Sequence, residues 1–301
     1  MTTPRRAAVL GGNRTPFARQ FGAYAEAANQ DMLTAAIEGL VARHGLAGER
    51  LGEVVAGAVI KHSRDFNLTR EAVLGSSLSP TTPAYDITQA CGTGLEAAIL
   101  VANKIALGQI ESGIAGGADS ASDAPVVVTE SLRRKLLRLN RAKTSADRVK
   151  AALAFRPTDV GVSVPANTEP RTGLSMGDHM ALTAAQWGVT REAQDELALA
   201  SHVNLAAAYE RGFFDDLLTP YLGLTVDQNL RPGSTLEKLG SLKPVFGKGE
   251  GATMTAGNST PLTDGASAVL LGSQEWADAH GLKPLAWFVD GAPAAVAYGG
   301  G

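Results

Sequence analysis

Residues 84–108, AYDITQACGTGLEAAILVANKIALG, decide how this chain is read. A strand-like run, "AYDIT", gives way to glycines and then to "GLEAAILVANKIALG", whose apolar residues recur at helical spacing. Cys91, the single cysteine, stands at the junction. A thiol at the end of a strand and the start of a helix meets unpaired N–H groups and the positive end of the helix dipole, and both favour the thiolate. Gly92 and Gly94 leave the first turn bare, so a bulky electrophile can reach the sulfur while the Cys91 N–H stabilises an oxyanion. On spacing alone two readings stand side by side: a presented nucleophile, or one more buried small hydrophobe.

Outward from that junction, strands and helices alternate. "AAVLGG" reads as a short strand, and Pro16 in the following "NRTPFARQFGAY" forbids an ordinary central strand there. "NQDMLTAAIEGLVARHGL" reads as a helix with Gly45 as its stop, "EVVAGAVI" as a buried strand, "NLTREAVLGSSL" as a helix and "SGIAGGADSAS" as a strand. Such alternation implies a parallel sheet covered on both faces. From about residue 126 to 250 the pattern becomes helical. "ESLRRKLLRLNRAKTSADRVKAALAFRP" is a basic amphipathic helix or pair, and "SMGDHMALTAAQWGVTREAQDELALASHVNLAAAYERG" holds two helices, the second capped by Thr190. Strands resume at "TMTAGNSTPLTDGASAVLLGS", followed by a helix, "SQEWADAHG", and a strand, "PLAWFVDG".

At 301 residues with 45% hydrophobic and 19% charged residues, the chain is long enough for a sizeable core. A net charge of −3, from 27 Lys and Arg against 30 Asp and Glu, gives no general attraction for nucleic acid. One cysteine cannot close an internal disulfide, the N-terminus lacks a secretory apolar core, and no apolar run is long enough for a transmembrane segment, so a cytoplasmic location is expected. Metal-ligand spacing and dinucleotide-binding glycine patterns are absent from the sequence.

Four segments in order, "NRTPF", "DITQACGTGLEAA", "SMGDHMA" and "TAGNSTPLTDGASAVLL", resemble the signature motifs of thiolases, and the resemblance runs from residue 8 to about 290. "PVVVTESLRRKLLRLNRAK" and "RPGSTLEKLGSLKPVF" are most similar to the fatty-acid-oxidation branch that includes the trifunctional-enzyme β subunit. The resemblance implies a layered α/β/α fold: an N-terminal domain over 1–125 continued by 251–275, a helical loop domain over 126–250 for coenzyme A, and the start of a C-terminal domain over 276–301. It implies no cofactor beyond coenzyme A as substrate, acyl-CoA and CoA as small-molecule partners, a homodimer or homotetramer, and a β-oxidation partner subunit or membrane surface met by the basic helix.

Position by position, Cys91 matches the cysteine that thiolases acylate in covalent ping-pong catalysis. Met176 and Gly177 match the loop motif beside the pantetheine, with Ser175 where many short-chain members carry histidine. Thr260 falls where relatives place a pantetheine-contacting serine, and Pro261 where many have glycine. Arg231 matches an arginine near the nucleotide, with an exposed arginine of no special role as the other reading. Asn258 and Asp264 are expected to organise turns, and His179 to be a surface or core-edge residue. The resemblance also implies two histidines and a second cysteine in a further domain, and none is in this sequence. The second half therefore reads as truncated: a piece of a longer enzyme is the favoured explanation, over a shortened non-catalytic CoA- or lipid-binding scaffold and over completion by another chain.

Overall fold

The computed structural model describes residues 5–247, 249 and 251–297. The first four residues and the last four of the closing "APAAVAYGGG" lie outside the described residues. Contacts group the chain into two units: the residues up to 123 with those from 168 onward, and residues 124–167 by themselves. The stretch from 168 to 250, read from the sequence as one piece with 126–167, thus groups with the larger unit.

The larger unit begins with β1 (Ala7–Arg14), β2 (Ala18–Arg19), α1 (Asn29–His44), β3 (Glu53–Ala56), α2 (Leu68–Leu74), β4 (Ala84–Asp86), α3 (Thr93–Ala106) and β5 (Ser112–Asp119). Helix α1 buries Met32, Leu33, Ile37 and Leu40, at helical spacing, and ends where Gly45 turns left-handed at φ 65°. Each of those side chains contributes about 1.5–3 kcal/mol on burial.

The smaller unit, residues 124–167, holds β6 (Val127–Val128), α4 (Glu130–Arg141), α5 (Ser145–Ala152) and β7 (Val162–Ser163), with β6 and β7 paired antiparallel. The basic segment is therefore a helix pair. Neither α4 nor α5 buries a residue, so the unit is held by polar ties at its base. Asp159 is the main one: its carboxylate accepts from Ser131 Oγ (2.6 Å), Lys135 Nζ (2.5 Å) and the Arg156 N–H (2.6 Å).

The larger unit resumes with α6 (Met176–Gln186), α7 (Arg191–Glu210), α8 (Leu236–Gly240), β8 (Pro244–Phe246), β9 (Met254–Thr255), β10 (Thr263–Ser273), α9 (Gln274–Ala279) and β11 (Ala286–Trp287). As the sequence implies, Thr190 caps α7, its hydroxyl accepting from the Ala193 N–H. The main sheet runs β11-β1-β10-β5-β3-β4, with β2 added beside β10. Two cores flank it. Val54, Ile114 and Leu270 face α1 and α2, while their chain neighbours Val55, Ala115 and Leu271 face Ala97, Val101 and Ile105 of α3.

The sheet is mixed, which corrects the expectation of a parallel one. β3 pairs parallel with both β4 and β5, but β10 lies antiparallel between β5 and β1, and β11 antiparallel beside β1. An alternating pattern is blind to strand direction. β10 follows the β8–β9 pair and an extended stretch, with no helix carried across the sheet to impose the parallel sense.

Acid should loosen the smaller unit. Hydrogen bonds from Lys135, then from Ser131 and the Arg156 backbone, hold the Asp159 carboxyl down to about 2. A depressed carboxyl contributes stability that is present above its unfolded value near 4 and is lost as pH falls toward 2. Cα chemical shifts of residues 130–141 should move toward coil over that range, and Asp159→Asn should produce the same change at neutral pH.

Candidate active site

The chain between β4 and α3 makes a tight turn at the carboxyl ends of the parallel strands β3, β4 and β5, the edge at which open α/β sheets place their ligands. Thr93 builds the turn. Its hydroxyl accepts from the Gln89 N–H (2.8 Å) and donates to the Ala90 carbonyl (2.8 Å), while the Gly92 N–H closes on the Gln89 carbonyl (2.9 Å). Ala90 is driven to φ 44°, a left-handed conformation that a side chain adopts at a cost. Cys91, next in the chain, is exposed. Among the described residues, the N–H groups of Cys91, Gly94 and Leu95 have no hydrogen-bond partner, so donors at the head of α3 stay open beside the sulfur.

The two sides of the turn treat glycine differently. A side chain on Gly57, where β3 ends, would collide with the Ile87 carbonyl and come within 3.0 Å of the Thr93 methyl, so glycine there lets the strand pass beneath the turn. At Gly94 an added Cβ would meet only the Gly116 carbonyl, at 3.9 Å. Packing does not demand glycine at 94, and the space over it is open. Asp119, the last residue of β5, accepts the Val59 and Ile60 N–H groups (3.0 and 2.8 Å) and so folds the chain after β3; burial raises its carboxyl against those bonds.

The opposite end of α3 is fixed by charge. Lys104 Nζ donates to Glu53 Oε2 (2.5 Å) and to Tyr85 Oη (3.3 Å), and the bond to Glu53 raises the lysine above its ordinary value. Helix α3 is thus tied to β3 and β4 at both ends.

The other sequence-derived residues sit on a second scaffold within the larger unit. Ser175 is the N-cap of α6, its hydroxyl accepting from the Asp178 N–H (3.2 Å) and donating to Asp178 Oδ2 (2.7 Å). Met176 follows, 74% exposed, and Gly177 packs its backbone against the Phe246 ring. Asp178 reaches on to the Gly247 N–H (3.3 Å), which joins the start of α6 to the end of β8. Arg231 is exposed and its guanidinium forms no ion pair among the described residues; its N–H donates to His202 Nδ1 on α7 (3.3 Å). Thr260 is exposed after Asn258, whose side chain accepts from the Thr255 N–H (2.7 Å) and donates to Asp195 Oδ1 on α7 (2.9 Å). Arg231 and Thr260 are therefore both referred to α7. The hydrogen bonds of the Cys91 turn close on the turn and on β3, so the structure does not tie Cys91 to this second group.

Asn258 organises its turn as the sequence implies, and so does Asp264, which accepts from the Ser122 N–H (3.0 Å) and hydroxyl. His179 lies at the surface end of α6, bonded to Thr172 Oγ1 (3.0 Å). Sequence reasoning missed Asp195 and Asp227. Asp227 is buried, accepts Arg14 through both guanidinium nitrogens (2.7 and 2.9 Å) and the Phe17 N–H (2.7 Å), and its own N–H donates to Tyr209 Oη. Burial pushes its carboxyl up, but the Arg14 hydrogen bond and the Phe17 N–H hold it below the ordinary value. The available signal was "NRTPF" itself, whose arginine needed a distant carboxylate. Among the described residues no group of His, Cys, Asp and Glu could hold a metal, and no helix is long and apolar enough to cross a membrane.

Comparison with known proteins gives one answer. The family described as thiolase, N-terminal domain, matches residues 7–275. The 3-ketoacyl-CoA thiolase of Pectobacterium carotovorum subsp. carotovorum is 41% identical over 288 residues, 94% of this chain and 66% of its own length. That of Photorhabdus laumondii subsp. laumondii has the same identity and coverage. This chain therefore spans just under two thirds of the length of those curated relatives. Among solved structures, Bacillus anthracis acetyl-CoA acetyltransferase matches with TM-score 0.79 and human mitochondrial 3-ketoacyl-CoA thiolase with 0.78, each at 27% identity over 95% of this chain and 70% of the other.

The turn can be tested through its backbone. Gly57→Ala should destabilise by about 1–3 kcal/mol, as overpacking does, and shift the amide resonances of residues 87–93. Ala90→Gly should be neutral or stabilising by up to about 1 kcal/mol, whereas Ala90→Val should be destabilising. Urea midpoints of the three variants check both statements.

Proposed function

The chain belongs to the thiolase family, and from that premise we propose that the whole protein transfers acyl groups between 3-ketoacyl-CoA and CoA through a thioester on Cys91. The Cys91 sulfur attacks C3 of the 3-ketoacyl-CoA. The C2–C3 bond breaks, its electron pair passes to C2 of the departing acetyl-CoA, and a proton adds there. The thiol of a second CoA then attacks the acyl-cysteine, displacing the Cys91 thiolate and releasing an acyl-CoA shortened by two carbons. The reverse sequence is the condensation.

The observation that carries this reading is the setting of Cys91: an exposed sulfur at the head of α3, beside unpaired N–H groups and next to a Gly94 that packing does not require. Open donors at that point suit a negatively charged tetrahedral oxygen, and the bare face over Gly94 suits the approach of a large thioester. Met176, Arg231 and Thr260, all exposed, and the cap residue Ser175 are assigned to coenzyme A, with Arg231 suited to phosphate. Coenzyme A enters as substrate, and the reading includes no other cofactor. A place in fatty-acid β-oxidation accords with the names of the bacterial relatives. Assembly into a homodimer or homotetramer through the open β4 edge of the sheet, in the cytoplasm, completes the reading.

The test is a mass measurement. Incubation with a 3-ketoacyl-CoA should add the shortened acyl mass to the peptide containing Cys91, and Cys91→Ala should lose the adduct without loss of CoA binding. An unmodified peptide at saturating substrate would overturn the acyl-cysteine step and leave a CoA-binding protein.

A further inference from the structure

One bulky residue is held in a conformation that the fold alone does not reward. Residues 19–22 form a tight turn, closed by the Gly22 N–H on the Arg19 carbonyl (2.9 Å), and its third residue, Phe21, has φ 58°. Turn chemistry asks for glycine or asparagine there. Phenylalanine in that conformation is strained, and its ring, 73% exposed, gives nothing back to the core. Among the described residues the other non-glycine positions with positive φ have local reasons: Ala90 belongs to the Cys91 turn, and Leu222, with Gly223 at φ 82°, makes the two-residue turn between Tyr221 and Leu224. Neighbouring groups keep Phe21 in place. Its N–H donates to Ser122 Oγ (2.6 Å), that hydroxyl donates to Asp264, the Gln20 side chain donates to the Ala121 carbonyl (3.0 Å), and the Gln20 N–H to the Leu262 carbonyl (3.3 Å). Gln20, Ser122 and Asp264 are thus engaged, while the Phe21 ring and Leu262, 59% exposed, are not covered.

This turn stands on the edge of the sheet that carries Cys91. Ser122 lies just past the carboxyl end of β5, Leu262 precedes β10, and the Cys91 turn follows the carboxyl end of β4. With β3 and β5 between them, β4 and β10 are three strand spacings apart, about 14 Å. An acetyl group cannot bridge that span, and a long acyl chain can. Val59, half-exposed past the end of β3, lies on the way, with its N–H on Asp119 at the end of β5.

We propose that Phe21, with Leu262, seats the distal part of a long acyl chain whose thioester end lies at Cys91, so that this protein prefers long-chain to short-chain acyl-CoA, an inference that rests on the acyl-CoA reading of Cys91. An acyl tail needs apolar contact area and no hydrogen-bond partner, which is what these two side chains supply. The strain then has a use. Left-handed backbone at residue 21 turns the ring out of the fold and toward a ligand, and the bonds from Ser122 and Leu262 hold it there before the ligand arrives.

Binding, with no chemistry required, is the readout. Calorimetry compares CoA with palmitoyl-CoA, kept below its micellar concentration, on the whole protein carrying Cys91→Ala so that no acyl transfer occurs. Palmitoyl-CoA should bind more tightly than CoA. Adding Phe21→Gly should remove about tenfold of that gain, the worth of roughly two buried methylene groups, while the urea midpoint stays level or rises as the strain is released. Phe21→Leu, which keeps apolar bulk, should retain most of the gain, and Leu107→Ala, at the opposite end of α3, should retain all of it. A palmitoyl-CoA with a photoreactive diazirine at its terminal carbon should crosslink to the peptides holding Phe21 or Leu262, and the butyryl analogue should not. If CoA and palmitoyl-CoA both fail to bind, the acyl-CoA reading falls and takes this inference with it. If CoA binds, then equal affinity for palmitoyl-CoA, a gain unchanged by Phe21→Gly, or crosslinks confined to other peptides overturns the inference alone.

Discussion

The arrangement of the larger unit turns on how closely β3 runs under the turn that leads into α3. Gly57 lets the strand pass against Ile87 and Thr93, and Thr93 in turn sets the hydrogen bonds that force Ala90 into a left-handed conformation and leave Cys91 exposed. Bulk at Gly57 would push the turn off the strand ends, since a packed interior transmits displacement and does not absorb it. The Lys104–Glu53–Tyr85 cluster holds the far end of the same helix, so the two attachments fix both its position and its slope on the sheet.

A second system of long-range ties builds the surface assigned to coenzyme A. Arg14, at the end of β1, is clasped by Asp227 and lies over the rings of Phe17 and Phe214; Asp195 on α7 joins Arg191 to Asn258. The Arg14–Asp227 and Arg191–Asp195 pairs join partly or fully buried charged groups, where an orphaned partner costs several kcal/mol. They make the irregular chain around 213–231 and 253–258 a shaped surface even though it contains little regular structure.

Local chemistry was legible in the sequence and long-range pairing was not. Gly45 as a helix stop, Thr190 as a cap, the two basic helices and the strand–turn–helix around Cys91 all follow from rules acting over a few residues, and the structure has them. The direction of β10 was misread because alternation does not encode direction. Asp227 went unseen because its partner Arg14 lies 213 residues away, and the tie of Asp195 to Asn258 because it spans 63 residues, although its pair with Arg191 is only one helical turn away. At the candidate site the sequence supplied Cys91, the "SMGDHMA" motif, Arg231 and Thr260 through a family likeness; it did not indicate that Ser175 would be engaged in capping α6, or that Gly177 packs on Phe246.

The position of β10 has a consequence for how the chain is made. This strand fills the gap between β1 and β5, pairing Ala7 with Ser273 on one side and Ser112 with Gly272 on the other. During translation the N-terminal strands emerge with two open edges facing an empty slot, and the strand that fills it follows only after the whole helical stretch has been made. At about 5–20 residues per second, that interval is roughly seven to thirty seconds. Over that interval the facing edges of β1 and β5 are open to pairing with other strands, so the order in which the chain is made separates the closing of this sheet from the folding of its first elements.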